Sequence, residues 1–126
     1  MLRTDLLREP EVWAWMRRRF PWVEEERGEI GEGLIHLDFA ALRHGLEKAA
    51  DDNDAGAARD ILNFIEELVD KVDALHPDVV NALDVSFLED LYLAEQHQRD
   101  FAGPLLLPRT RARWDGIAAA HEGRSG

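Results

Sequence analysis

The sequence predicts an all-α domain of about five helices, closed into a compact antiparallel bundle or a short HEAT-like helical stack. Three observations predict it. Apolar residues recur at three- and four-residue spacing along most of the chain, as one buried helix face requires. Runs of β-branched residues with two-residue alternation are nearly absent. The turns in the middle of the chain are short, and short turns set successive helices antiparallel. The 126 residues suffice for one helical domain, 1–126, with a tail at 123–126 expected to fray. No repeat of fixed period is visible, which argues against a long solenoid.

The first helix is expected from near Pro10 to Phe20. Proline suits a first turn, where its missing N–H is unpaired anyway. Val12, Met16 and Phe20 share one side, with Trp13 adjacent. Arg17, Arg18 and Arg19 favour the negative end of the helix dipole, and Pro21 stops the helix. A separate short turn is expected at 4–8. Residues 23–33 read as a linker, with the charge run Glu24-Glu25-Glu26 before Gly28, Gly31 and Gly33.

A second helix is expected over 34–50, with Ile35, Phe39, Leu42, Leu46, Ala49 and Ala50 inward. His36, Arg43 and Glu47 lie on its other face. Asp51-Asp52-Asn53-Asp54 makes the turn, and Asp54 is a natural N-cap for the next helix. That third helix, 55–73, has the cleanest amphipathic pattern. Ile61, Leu62, Phe64, Ile65, Leu68, Val69 and Val72 fill one arc; Asp60, Glu66, Glu67, Asp70 and Asp73 fill the other. His76-Pro77-Asp78 opens a fourth helix over 78–101, with Val80, Leu83, Phe87, Leu88 and Leu91 as its stripe. Ala102-Gly103-Pro104 breaks it, and a fifth helix rich in Arg and Ala is expected over 108–121, carrying Trp114.

Net charge is −11, and its distribution narrows the function. Residues 1–22 and 101–126 each carry +2, whereas 23–100 carries 21 acids against six bases. A nucleic-acid binder needs a basic face to release phosphate counterions, so no nucleic-acid partner is expected. The acidic middle would draw a basic partner and speed the encounter. An acidic surface also keeps a protein soluble, which is the plainer explanation of the same charge. The absence of cysteine removes disulfides, thiolate zinc sites and cysteine nucleophiles together. Charges recur early in the N-terminal sequence, and no apolar run approaches the roughly 20 residues of a membrane span. A cytoplasmic location away from any membrane is expected.

The motifs that would carry chemistry fail on spacing. Counted from Asp51, a calcium loop of the EF-hand type would place Ala55 at its fifth position and Leu62 at its twelfth, and neither can ligate. The glycines at 28, 31 and 33 sit among Glu29 and Glu32, which oppose phosphate. No two of His36, His44, His76, His97 and His121 are four residues apart, so no local zinc pair exists. Ser86 and Ser125 lack the strand–turn–helix setting of a nucleophile elbow. Adjacent carboxylates such as Glu66 and Glu67 point about 100° apart and do not converge on one atom. No cofactor, metal or catalytic residue is expected. Asp84 is the exception to easy dismissal, because it falls among Val80, Leu88 and Leu91. Burial would raise its pKa unless Arg43, Arg59 or a histidine pairs with it. Of Trp13, Trp15, Trp22 and Trp114, the first two cannot share one helix face, so one of them must pack outside the main stripe or mark an interface.

Two stretches carry a family likeness: Asn63-Phe64-Ile65-Glu66-Glu67-Leu68 and Val80-Asn81-Ala82-Leu83-Asp84-Val85-Ser86-Phe87-Leu88-Glu89-Asp90-Leu91. They resemble a group of small bacterial helical proteins, largely of unknown function, with an F-x-E helix, a short turn and an N-x-x-x-V-x-F-L-E string. Some of these are similar to immunity proteins of polymorphic toxin systems. The resemblance covers roughly 34–100. It implies no catalytic role for Glu66, Asn81 and Glu89, which are expected to cap helix ends or bridge neighbours. The resulting expectation is a non-enzymatic binding protein, an immunity protein that neutralises a basic toxin such as a nuclease. Asp51, Asp52, Asp54, Glu66, Glu67, Asp70 and Asp73 are its candidate contacts, mimicking phosphate or covering a basic rim. The alternatives are a helical adaptor without inhibitory role and, behind it, an enzyme or metal protein using Asp84 and a histidine.

Overall fold

The computed structural model describes residues 6–27 and 35–125. Its elements in chain order are α1 (Glu9–Arg19), α2 (Val23–Arg27), α3 (Ile35–Asp51), α4 (Ala55–Asp70), a 3-10 turn (Val72–Ala74) and α5 (Pro77–Ala82). A π-helical segment (Leu83–Glu89) continues α5 into α6 (Asp90–Tyr92). Then come α7 (Gln96–Ala102), a second 3-10 turn (Gly103–Leu105) and α8 (Pro108–Ser125). The protein is all-α, and among the described residues no strand occurs. With 77–92 taken as one run, seven helices are present among those residues, not about five.

The additional helices have local causes. Val23 is fully buried and Arg27 is tied down, so the acidic run between them coils as α2 where a linker was expected. The long fourth helix is interrupted at Leu93-Ala94-Glu95, without proline or glycine. The short turn expected at 4–8 falls partly outside the described residues. Over 6–8 the chain is extended, and Leu7 bridges Leu75 through Leu7 N to Ala74 O and His76 N to Leu7 O, both 2.8 Å. The glycine-rich loop expected at 28–33 lies outside the described residues.

The turn between α3 and α4 shows how short-range chemistry sets the topology. Asn53 adopts φ 54°, a left-handed conformation that asparagine tolerates better than most residues. Asn53 N then bonds Ala50 O at 3.1 Å, and Asp54 N bonds Ala49 O at 2.8 Å. This pair satisfies the last carbonyls of α3 in a Schellman arrangement. Asp54 caps the next helix at once, accepting from Ala57 N at 3.1 Å.

α3 is the central helix. It packs against α4 on one side and against the π-helical segment on another, while α2 and α7 lean on it. Phe39, Leu42 and Leu46 from α3 meet Leu62, Phe64, Ile65 and Leu68 from α4 and Leu83, Phe87, Leu88 and Leu91 in one core. α8 lies across α4 and the π-helical segment. Val79, not Val80, is fully buried at the start of α5. Trp13 and Trp15 leave α1 on different flanks. Trp13 stacks under the Arg27 guanidinium at 4.3 Å, and Trp15 meets Phe64 edge-on at 4.8 Å. Among the described residues, no helix is long and apolar enough to cross a membrane.

Candidate functional site

Three of the five acids expected on the outer arc of the third helix, Glu66, Glu67 and Asp70, are engaged within the fold. Glu66 turns toward the start of α8, where it accepts from Arg109 N at 3.2 Å, Thr110 N at 2.8 Å and Thr110 Oγ1 at 2.8 Å. α8 has no acid in its own first turn, so Glu66 satisfies its open N–H groups and meets its positive end. Partial burial opposes ionisation of Glu66, but the Thr110 and Arg109 hydrogen bonds and the Arg109 charge prevail and hold its carboxyl below the usual range. Glu67 pairs with Arg19 at 2.5 Å, and Asp70 pairs with Arg109 at 3.1 Å. The two mildly basic ends of the chain thus fold back onto the far half of α4. Glu66 in particular is withdrawn from the candidate partner contacts, because its oxygens are occupied within the fold.

Asp51 is also engaged, with His97 Nε2 at 2.7 Å and Gln98 Nε2 at 3.4 Å. The Asp51 hydrogen bond holds His97 above the ordinary histidine range, and the same bond holds Asp51 below the ordinary aspartate range. Asp73 is exposed in the 3-10 turn after α4. Asp52 remains, and Asp54 gives one oxygen to the α4 cap; the fold gathers the two with acids that were not among the expected contacts.

That gathering lines a groove of about 540 Å³ between α2, the middle of α3 and the first half of α4. Glu25 and Glu26 descend from α2, Asp52 and Asp54 from the α3–α4 turn, and Asp60 from α4. Among the described residues, Lys48 is the one lysine in the lining, and the His44 imidazole sits 3.1 Å from Glu26. The apolar part is Phe20, Trp22, Ala49, Ala57 and Ile61. Trp22 is 39% exposed, although its ring reaches deep into α3. It does so at Gly45, where a Cβ would sit 2.1 Å from the outermost indole carbon. A glycine inside a helix costs about 1 kcal/mol relative to alanine, so Gly45 was the sequence signal for this close approach.

Two other constellations bear on chemistry. Asp84 is held by Arg113 of α8 through two parallel hydrogen bonds, Nε to Oδ1 at 2.5 Å and Nη2 to Oδ2 at 2.8 Å. Its side chain is 30% exposed, so it is neither fully buried nor paired to Arg43, Arg59 or a histidine. A π turn closes with i→i+5 hydrogen bonds, which rotates the side chains away from a regular α-helical register and brings Asp84 to the rim. Ser86 Oγ lies 2.7 Å from His36 Nδ1, and Arg43 Nε donates to the Ser86 carbonyl at 3.1 Å. Ser86 is buried, and among the described residues no carboxylate bonds the other imidazole nitrogen. The pair satisfies a buried hydroxyl and ties α3 to the π-helical segment. Among the described residues, no three His, Asp or Glu side chains are grouped so as to hold a metal ion.

Residues 13–122 match the model of a family described as a domain of unknown function, DUF7674. The chain belongs to this family. The match runs from within α1 through most of α8, so the groove and the Glu66 cap both lie within the DUF7674 domain. No curated protein and no solved structure matches the chain.

Proposed function

We propose that this DUF7674 domain is a non-enzymatic binding protein that neutralises a basic protein partner, in the manner of an immunity protein, by laying its acidic groove over a cationic surface. The observation that carries the reading is the groove itself, where five carboxylates face one lysine around a half-exposed tryptophan. Charge of one sign concentrated in a concave surface speeds association with the opposite sign, and a buried aromatic anchor supplies affinity. Asp52 and Asp54, expected as contacts from the sequence, are part of it; Glu67 and Asp70 take part only if a partner displaces Arg19 and Arg109.

The decisive experiment pairs the domain with a toxin domain encoded beside it and measures association at increasing salt. Charge reversal by Asp52→Lys with Asp60→Lys is expected to slow association at least tenfold and to flatten its salt dependence. Unchanged affinity and unchanged salt dependence would refute the proposal. The second reading is a helical adaptor without inhibitory role. Leu93, 60% exposed at the break between α6 and α7, favours it by offering an apolar contact away from the groove.

A further inference from the structure

We infer that the groove is a receptor for one arginine side chain of the basic partner, seated against Trp22 with its guanidinium between Asp52, Asp60 and Glu25. The inference rests on the proposal that the partner is basic and narrows it to a residue and a seat. Among the described residues, the side chains of Glu25, Asp52 and Asp60 have no ion-pair or hydrogen-bond partner. The acids of the far half of α4 are instead answered by the chain's own arginines, Glu67 by Arg19 and Asp70 by Arg109. Along α4, the unanswered charge therefore lies on the side that opens into the cavity.

The molecule contains a filled version of the same arrangement. Arg27 lies 4.3 Å above the Trp13 ring and donates to Asp38 at 2.8 Å, so that one guanidinium is held by an indole and a carboxylate together. The groove repeats the indole and the carboxylates, and although Lys48 is in its lining, among the described residues no cation lies over the Trp22 ring. Arginine suits it better than lysine, because its flat and weakly hydrated head both stacks on aromatic rings and forks between carboxylates. A cavity of about 540 Å³ has room for that side chain. Gly45 makes the seat possible, since any side chain there would drive the Trp22 ring out of α3 and into the space the arginine would occupy.

The test uses the full chain, labelled with nitrogen-15, titrated with a capped alanine pentapeptide carrying one central arginine. Lysine and citrulline versions serve as controls. The expected result is a saturable shift of the Trp22 indole N–H and the Gly45 amide, at least tenfold weaker with citrulline and weaker with lysine. Asp52→Asn with Asp60→Asn, both exposed and safe for folding, should weaken the arginine response at least tenfold, as should Trp22→Ala. Equal shifts with citrulline, or shifts spread evenly to Asp73 and Glu95, would overturn the seat. Partner binding that falls on charge reversal at Asp52 and Asp60, with no saturable response to the arginine peptide, would overturn the seat and leave the acidic-groove proposal standing. Capture of the arginine peptide without binding of any basic protein would support the seat and sink the broader proposal.

Discussion

Glu66 and Thr110 are 44 residues apart, and the Glu66 carboxylate accepts both the Thr110 N–H and the Thr110 hydroxyl at 2.8 Å. Thr110 is fully buried, so neither donor has water as a substitute. A helix that starts with proline and basic residues would otherwise begin uncapped against α4. Replacing Glu66 with alanine is expected to cost about 1–2 kcal/mol, the range for loss of a helix cap. Chemical denaturation measures that loss, and amide exchange should quicken first in the opening turns of α8. Because the Glu66 carboxyl is held below its usual range, its stabilisation is complete above the unfolded value, about 4.3, and fades as pH falls through the folded value. An alanine variant that keeps the full acid sensitivity of the parent would rule out this assignment.

Asp38 has the opposite sign. It is 2% exposed, and burial outweighs the Arg27 hydrogen bond and charge, pushing its carboxyl above the usual range. A raised carboxyl contributes its stability below the unfolded value and loses it as pH rises through the folded value. Arg27→Met removes the counter-charge and is expected to destabilise by about 3–5 kcal/mol at pH 7, the cost of a buried charge left behind. Much of that loss should return on acidification, where Asp38 can protonate, and on adding Asp38→Leu. Melting curves of the single and double variants at pH 5 and pH 7 decide it. A loss independent of pH, with no rescue by the second substitution, contradicts the pairing.

Glu66 and Asp84 mark how far the sequence was legible. Asp54 and the apolar arc of α4 could be read directly, because capping and amphipathic periodicity act within one or two turns. The breaks around 77–105 could not, because Leu93-Ala94-Glu95 has no breaker residue and the π register arises from packing between distant elements. Glu66 was expected both as a solvated contact and, through the family likeness, as a cap or bridge between helices, which is the role it takes. Asp84 looked like a buried acid. Their partners, Thr110 and Arg113, lie on a helix whose docking no local pattern reveals. The groove was half visible. Asp52 and Asp54 stood out in the acidic turn, while Glu25, Asp60 and Trp22 join them only once α2 folds onto α3.

His97 joins the start of α7 to the end of α3 through Asp51 at 2.7 Å, with Glu95 3.4 Å from its other ring nitrogen. The Asp51 hydrogen bond raises His97, so the contact is fully formed below the unfolded histidine value, about 6.5, and is lost as pH rises through the folded value. Asp51, held low by the same bond, releases it at the other extreme as pH falls through its own folded value. Proton NMR titration is expected to place His97 above the ordinary histidine range, and Asp51→Asn to return it toward that range. Coincident titration of His97 in the parent and in Asp51→Asn would exclude the link.

Gly45→Ala separates the needs of α3 from those of the groove. Helix propensity alone favours the change by about 1 kcal/mol. Against it stands the Trp22 ring, whose nearest carbons lie 2.1, 2.7 and 2.9 Å from the added Cβ. The backbone of α3 is fixed by core residues on both sides of this position, Leu42 and Leu46, so the ring is the part that moves. The expected outcome is a net stability change of less than about 1 kcal/mol, because the propensity gain offsets the lost contact of a half-exposed indole. Trp22 emission, obtained by subtracting the spectrum of Trp22→Phe, should shift to the red as the ring enters water, and acrylamide should quench it more readily. Unaltered emission with improved stability would mean that the ring and the helix accommodate a methyl group without rearrangement, and the depth assigned to Trp22 in α3 would then be wrong.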